Sequence, residues 1–131
     1  MTMHFPTNLK YSKEHEWVRF EGGKAVVGIT DFAQSQLGDV VFVELPAVGA
    51  AVLAGKRFSV VESVKAVSDI FAPVNGTVVE INETLNDAPE KVNQDPYGQG
   101  WIAVLELTDA AALAELMDSE TYAAQVAKGG H

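Results

Sequence analysis

Glycine and proline residues divide this chain into short segments as far as about residue 107. Gly22 and Gly23 separate two β-rich segments, residues 17–20 and 25–29, and predict a hairpin between them. A further apolar segment predicts a strand that ends at Pro46. Short strands joined by tight turns are typical of antiparallel β structure.

Apolar and polar residues alternate between positions 57 and 72, which is the pattern of a strand with one face inward. The even positions carry the apolar residues Phe58, Val60, Val64, Ala66, Ile70 and Ala72. The odd positions carry the polar residues Ser59, Ser63, Lys65 and Asp69. Because this span is longer than an ordinary strand, we expect a tight turn near Val64 and Lys65.

The next segments predict two further strands and a loop. Asn75 and Gly76 form a dipeptide that is typical of a hairpin turn, and residues 77–81 predict the strand after it. Residues 82–100 are rich in Asn, Asp, Pro and Gly, which predicts an irregular surface loop. Residues 101–107 return to an apolar pattern and predict another strand.

One short helix is predicted inside the β region. Asp31 can cap its start, Gln34 can complete a capping box, and Gly38 suits a left-handed end. Only one or two helical turns fit between these residues.

From Thr108 onward the spacing of apolar residues becomes helical. Position 108 or 109 can cap a helix over residues 110–117, and position 118 or 119 can cap a second one that ends near residue 129. The whole chain therefore predicts a single α+β domain that is mainly β. Its β core covers about residues 9–107, and its helical segment covers about 108–128.

The charge balance limits the classes of partner. The chain has 9 Lys and Arg against 18 Asp and Glu, a net charge of -9. Nucleic acids and anionic membranes are therefore not expected to bind. Cysteine is absent and only three histidines are present, so neither a metal site, a cysteine nucleophile nor a histidine-dependent catalytic triad is expected. No secretory signal is visible in the first residues, which favours the cytoplasm.

Two groups of residues allow more than one interpretation. Glu14, His15, Glu16 and Trp17 are either the edge of a site or a strand start with its tryptophan in the core. Lys65 is either an ordinary solvated lysine or an exposed amine that another enzyme acylates. A hairpin tip suits acylation better than catalysis, since a catalytic lysine needs an enclosed site that lowers its pKa.

The segment Glu62-Ser-Val-Lys65-Ala resembles the lipoylation sequence of the glycine cleavage system H proteins. Further segments resemble that family in the same order, at residues 11–18, 27–34, 37–46, 72–76 and 92–101. Biotin carriers usually place methionines beside their lysine, whereas Val64 and Ala66 stand here. The resemblance implies a barrel-sandwich hybrid of the lipoyl and biotinyl type, with the modified lysine on a β-hairpin.

The resemblance also implies a cofactor, a set of partners and a function. Lipoate would be joined to Lys65 as an amide by a lipoate-attaching enzyme. The arm would carry the aminomethyl group of glycine from a pyridoxal-phosphate glycine decarboxylase to a tetrahydrofolate-dependent aminomethyltransferase. A flavin (FAD) dihydrolipoamide dehydrogenase would then reoxidise it. Such a protein is a shared substrate of these enzymes and has no catalytic residues of its own.

Site residues follow from the same resemblance. The residues expected to display Lys65 to the attaching enzyme are Glu62, Ser63, Val64 and Ala66. Glu16 and Asp69, with Ser12 as a weaker third, are expected in the cleft that shelters the aminomethyl-bearing arm. Two alternatives remain open: a relay that donates octanoyl or lipoyl groups to other lipoyl domains, and a binding module whose lysine is never modified.

Overall fold

Two antiparallel sheets make up most of the structure, a computed structural model that describes residues 3–108 and 113–129. The strands in chain order are β1 (Lys10–Tyr11), β2 (Glu16–Glu21), β3 (Lys24–Ile29), β4 (Val40–Glu44), β5 (Ala51–Val52), β6 (Arg57–Ser63), β7 (Val67–Phe71), β8 (Gly76–Ile81) and β9 (Ala103–Leu107). One sheet has the order β1-β2-β3-β9-β8-β5, and the other has the order β4-β6-β7.

Helices are short and lie outside the sheets. They are α1 (Asp31–Leu37), α2 (Thr84–Asp87), α3 (Lys91–Gln94) and α4 (Ser119–Ala127), with a 3₁₀ turn at Leu113–Glu115. The longest helix lies at the C-terminal end, so the predicted fold class, mainly β with C-terminal helical structure, is confirmed. Among the described residues, no helix has the length and apolar character needed to cross a membrane.

Two apolar clusters stabilise this arrangement. The larger joins both sheets and includes the fully buried side chains of Val27, Val61 and Leu105. The smaller surrounds Trp17, which lies directly opposite Gly28 in the β2–β3 hairpin. A Cβ atom at position 28 would lie 2.7 Å from the indole ring, so the glycine makes room for the buried tryptophan.

The strand prediction for residues 57–72 is confirmed, but the predicted inward face is only partly right. A bulge between Arg57 and Ser59 shifts the register of β6 against β7. Along β6, therefore, the odd positions Ser59, Val61 and Ser63 are buried, and the even-numbered Val60 is buried as well. The even-numbered Val64 beyond the strand is 71% exposed.

The hairpin predicted at Asn75 and Gly76 is wrong. Residues 72–75 cross from the three-stranded sheet to the other sheet, where Gly76 begins β8 and pairs with Leu107. A Cβ atom on Gly76 would lie 2.6 Å from the carbonyl oxygen of Glu106, so glycine permits close strand approach rather than a turn. The Asn75 side chain accepts a hydrogen bond from the Ala54 amide at 2.8 Å.

Residues 82–100 were expected as an irregular loop, but they contain α2 and α3. Each of these helices contributes one buried side chain to the core, Leu85 and Val92. Asn82 closes the segment, because its amide nitrogen donates to the carbonyl oxygens of Gln99 and Trp101, both at 2.8 Å. Residues 82–100 are therefore packed against the core through Leu85 and Val92, despite their turn-rich sequence.

The helix boundaries differ in detail from those expected. Thr30, not Asp31, caps α1, since its hydroxyl accepts from the Ala33 amide at 3.2 Å. Gly38 ends that helix with φ of 76°, as predicted. Asp118 caps α4, which also agrees with the prediction.

The expected helix over 110–117 falls partly on residues 109–112, which lie outside the described residues. Its end is wrong, because Met117 is extended and forms a β-bridge with Tyr11.

Candidate functional site

Lys65 lies at the tip of the hairpin formed by β6 and β7. Three exposed residues, Val64, Lys65 and Ala66, join the two strands, so the turn predicted near Val64 and Lys65 is confirmed. The amide of Ser63 donates to the carbonyl oxygen of Ala66 at 2.8 Å and closes the turn.

The Ser63 side chain holds the tip from inside. Its hydroxyl oxygen is an acceptor for the amides of Lys65 at 3.3 Å and Ala66 at 3.0 Å. Ser63 is largely buried, so these bonds are shielded from competing water. The lysine side chain therefore projects from an ordered backbone.

A second contact joins the hairpin tip to the end of α1. The amide of Val64 donates to the carbonyl oxygen of Asp39 at 3.0 Å. Asn93 of α3 holds both neighbours of Asp39: its amide nitrogen donates to the Gly38 carbonyl oxygen, and its oxygen accepts from the Val40 amide, each at 2.8 Å. Asn93 could not be predicted from the sequence, because its two partners lie more than 50 residues away in the chain.

The Lys65 side chain leans toward the same helix end. A Cβ atom built on Gly38 would lie 3.6 Å from Lys65 Cε. Leu37, the residue before Gly38, lines a cavity, whereas Lys65 itself does not.

This cavity, here called the cleft, has a volume of about 420 Å³. Its polar lining is Lys13, Glu14, His15, Gln36, Ser68 and Asp69. Its apolar lining is Ile29, Phe32, Ala33, Leu37 and Ile70. Four parts of the chain supply these walls: the turn before β2, the end of β3, α1, and β7, the strand that follows the lysine hairpin. The cleft thus combines apolar contact surface with carboxylates.

Glu16 and Ser12 lie at a neighbouring cavity of about 250 Å³, which shares Lys13 and Glu14 with the cleft. Of the three predicted cleft residues, therefore, only Asp69 lines the larger cavity. Glu16 is 1% exposed, and its carboxylate accepts from the Ser12 hydroxyl at 2.5 Å and from the Phe71 amide at 3.3 Å.

Burial raises the pKa of Glu16 from 4.5 to about 7. The hydrogen bonds from Ser12 and Phe71 oppose this rise, and the nearby Glu14 carboxylate adds to it. A carboxyl group with this pKa changes charge readily near neutral pH, and a cation beside it would favour the ionised form.

In the segment from Glu14 to Trp17, the tryptophan belongs to the core and the first two residues lie at the edge of the cleft, so each of the two interpretations describes part of the segment. Trp17 is fully buried and donates through its indole nitrogen to the Pro96 carbonyl oxygen at 2.9 Å. Glu14 and His15 instead line the cleft. Phe32 and Gln36 were missed as lining residues, although their i, i+4 spacing on the predicted short helix indicates a shared face. Within the described residues, no group of three or more acidic or histidine side chains could hold a metal ion.

Comparison with known proteins identifies the family. The family model described as "Glycine cleavage H-protein" matches residues 9–129. The chain is 60% identical over 124 residues to the glycine cleavage system H protein of Brevibacillus brevis, covering 95% of this chain and 98% of that protein.

The chain belongs to the glycine cleavage H-protein family.

Other relatives agree with this assignment. The H protein of Bacillus subtilis is 58% identical over 120 residues, which cover 92% of this chain and 94% of that one. A crystal structure of a glycine cleavage system H protein from Mycobacterium marinum superposes with a TM-score of 0.87 at 40% identity. That match covers 94% of this chain and 99% of the other. The expected resemblance and the lipoyl-type barrel-sandwich fold are thereby confirmed.

The raised pKa of Glu16 predicts how stability depends on pH. Between about pH 4.5 and 7 the folded chain keeps a proton that the unfolded chain loses, so this group makes stability fall as pH rises. We expect the free energy of unfolding of the wild type, relative to Glu16→Gln, to fall by on the order of 3 kcal/mol across this window. Above about pH 7 the difference should level off.

Urea unfolding at pH 4.5, 6 and 8 measures this difference. Glu80→Gln removes an exposed carboxyl group from β8 and serves as the control, with a pH dependence like that of the wild type. Parallel pH profiles for Glu16→Gln and the wild type would contradict the prediction.

Proposed function

We propose that this chain is a lipoyl carrier whose Lys65 holds lipoate as an amide. The observation that carries the proposal is the placement of an exposed lysine on a hairpin tip that hydrogen bonds hold in two places. Its stem lies beside Gly38 at the end of α1, and the preceding residue, Leu37, lines the cleft. The residues fit such a group, because the amine is accessible to an attaching enzyme and the cleft offers apolar surface to a hydrocarbon arm. When bound, the lipoyl group supplies a disulfide that can be opened and restored by thiol–disulfide exchange.

The proposed task is transport within glycine cleavage. The chain would accept the aminomethyl group of glycine at a pyridoxal-phosphate glycine decarboxylase and deliver it to a tetrahydrofolate-dependent aminomethyltransferase. Dihydrolipoamide dehydrogenase would then restore the carrier. An exposed lysine supports the role of a shared substrate rather than that of an enzyme, since catalysis requires enclosure of the reacting group. The cytoplasm is the proposed location, in keeping with bacterial relatives.

Recognition by the attaching enzyme is assigned to the hairpin residues Glu62, Ser63, Val64 and Ala66. Glu62 lies between Phe42 of β4 and Val67 of β7 in the strand register. Phe42 is 47% exposed and Val67 is 67% exposed, so a carboxylate flanked by apolar side chains lies beside the lysine. Such a surface is complementary to an apolar patch with a basic group.

Stabilisation of the cationic aminomethyl group is assigned to Asp69 and Glu16, with Ser12 in support. Asp69 lines the cleft, and its carboxylate lies 3.7 Å from Arg57. Glu16 is available as a buried acceptor at the neighbouring cavity, and an ammonium group nearby would favour its ionised form. Ser12 orients that carboxylate through its hydroxyl.

Peptide mapping by mass spectrometry tests the attachment site. In cells supplied with lipoate, we expect one lipoyl group on the peptide that contains Lys65 and none in Lys65→Arg, because a guanidinium group is not acylated. Lys56→Arg is the matched control, since Lys56 is also exposed but lies directly before β6, away from the hairpin tip. It should be lipoylated like the wild type.

Unmodified, folded wild-type chain in the presence of a competent attaching enzyme would overturn the proposal and favour the binding module. If Lys65 is lipoylated but the arm takes up no aminomethyl group from glycine, transfer of lipoyl groups to other lipoyl domains becomes the function to assay. These outcomes separate the carrier of glycine cleavage from both alternatives.

The two buried serines of β6 provide a test of hairpin display. Ser63→Ala removes the acceptor for two tip amides, and we expect lipoylation of Lys65 to slow by about fivefold. Ser59→Ala removes a hydrogen bond to the Glu44 carbonyl oxygen, far from the tip, and serves as the control. Each variant should lose about 1 kcal/mol of stability. Equal lipoylation rates for both variants would exclude a specific role for Ser63.

The lifetime of the aminomethyl group tests the two carboxylates. An aminomethyl group carried on the arm would be lost to water as formaldehyde and ammonia, leaving the thiol, and a cleft that binds the amine should slow this loss. We expect ammonia release to be about tenfold faster in Asp69→Asn and in Glu16→Gln. Glu44→Gln, which changes an exposed carboxyl group of β4, should match the wild type. A variant with an unchanged rate excludes its carboxylate from the role.

A further inference from the structure

We propose that Tyr122 of α4 is a positioning residue that holds two walls of the cleft together through hydrogen bonds to His15 and Thr30. This role rests on the proposed function, in which the cleft shelters the aminomethyl-bearing arm, and it extends that function to the C-terminal helix. Tyr122 itself does not line the cleft; it acts through residues of the turn before β2 and of α1.

The geometry places one phenol between two chain segments. Tyr122 is fully buried, and its hydroxyl oxygen lies 2.8 Å from His15 Nδ1 and 2.7 Å from Thr30 Oγ1. His15 lines the cleft directly. Thr30 caps α1, whose residues Phe32 and Gln36 also line the cleft.

The phenol can satisfy both contacts at once. A tyrosine hydroxyl has one proton to donate and lone pairs to accept, so it can donate to one neighbour and accept from the other. Burial raises the pKa of Tyr122 to about 12, so the hydroxyl keeps its proton near neutral pH. Because Thr30 also accepts from the Ala33 amide, its hydroxyl links the phenol to the first turn of α1.

His15 has a backbone conformation that depends on such support. Its φ of 74° lies in the left-handed region, which non-glycine residues rarely adopt. The Thr30 amide donates to the His15 carbonyl oxygen at 3.1 Å, and the imidazole packs on Phe32 with ring centroids 4.9 Å apart. The Tyr122 bond adds a contact from a third element, so it defines where the imidazole enters the cleft wall.

Tyr11 offers a matched control in the same cluster. Its ring stacks on that of Tyr122 with centroids 4.8 Å apart, and it is also fully buried. Its hydroxyl donates to the Pro6 carbonyl oxygen at 2.6 Å, away from the residues that line the cleft. Tyr11→Phe and Tyr122→Phe therefore delete the same group from neighbouring buried rings.

Amide hydrogen exchange of the unlipoylated chain tests the positioning role without any reaction of the arm. We expect Tyr122→Phe to raise exchange by about tenfold in residues 12–17 and 30–38, with residues 57–71 unchanged. Tyr11→Phe should leave both cleft segments at the wild-type rate. Thr30→Ser, which retains the hydroxyl, should also behave like the wild type.

Equal exchange in the two tyrosine variants, or an increase spread over the whole chain in Tyr122→Phe, would overturn the proposal. Ammonia release from the lipoylated, aminomethyl-bearing chains gives a second measurement, with Tyr122→Phe expected about tenfold faster than Tyr11→Phe. If the wild type itself protects the group no better than free aminomethyl-lipoamide, the proposed sheltering function fails. If the wild type protects it and the two variants do so equally, the positioning role fails.

Discussion

The hydrogen bond from the Val64 amide to the Asp39 carbonyl oxygen joins the lysine hairpin to the end of α1. An acylated lysine has to be exposed for its enzymes, yet exposure by itself leaves a side chain free to point anywhere. The Ser63 hydroxyl accepts hydrogen bonds from the turn, and Asn93 donates to Gly38 next to Asp39. These contacts fix the backbone from which the Lys65 side chain extends toward Gly38. The proposed carrier function depends on this restraint, because an arm attached there begins at the end of α1, whose Leu37 lines the cleft.

The buried carboxyl group of Glu16 lowers the stability of the folded chain when it is ionised. Burial of this carboxyl group disfavours the charged form that an amine would bind. The cost is limited by hydrogen bonds from Ser12 and Phe71. A buried ionisable group with a raised pKa is typical of functional sites rather than of structural cores.

The turn at Val64 and Lys65 could be predicted because alternation and strand length are local properties of the sequence. The inward face of β6 could not, since a bulge at Arg57 and Ser59 depends on pairing with β7. Likewise, Asn75 and Gly76 have the composition of a hairpin turn, but the close approach of Glu106 from another strand gives Gly76 a different use. Local patterns predicted the elements, and contacts between distant segments determined their details.

The same division applies to the site. The family and the position of Lys65 at a turn follow from the amino-acid sequence, because short motifs and turn spacing are encoded within a few residues. The separation of Asp69 and Glu16 into two adjoining cavities follows only from packing of the turn before β2 against α1 and β7. So does the meeting of His15, Thr30 and Tyr122, which are up to 107 residues apart. Hydrogen bonds and burial of this kind exist only after folding, so they cannot be predicted from a local sequence pattern.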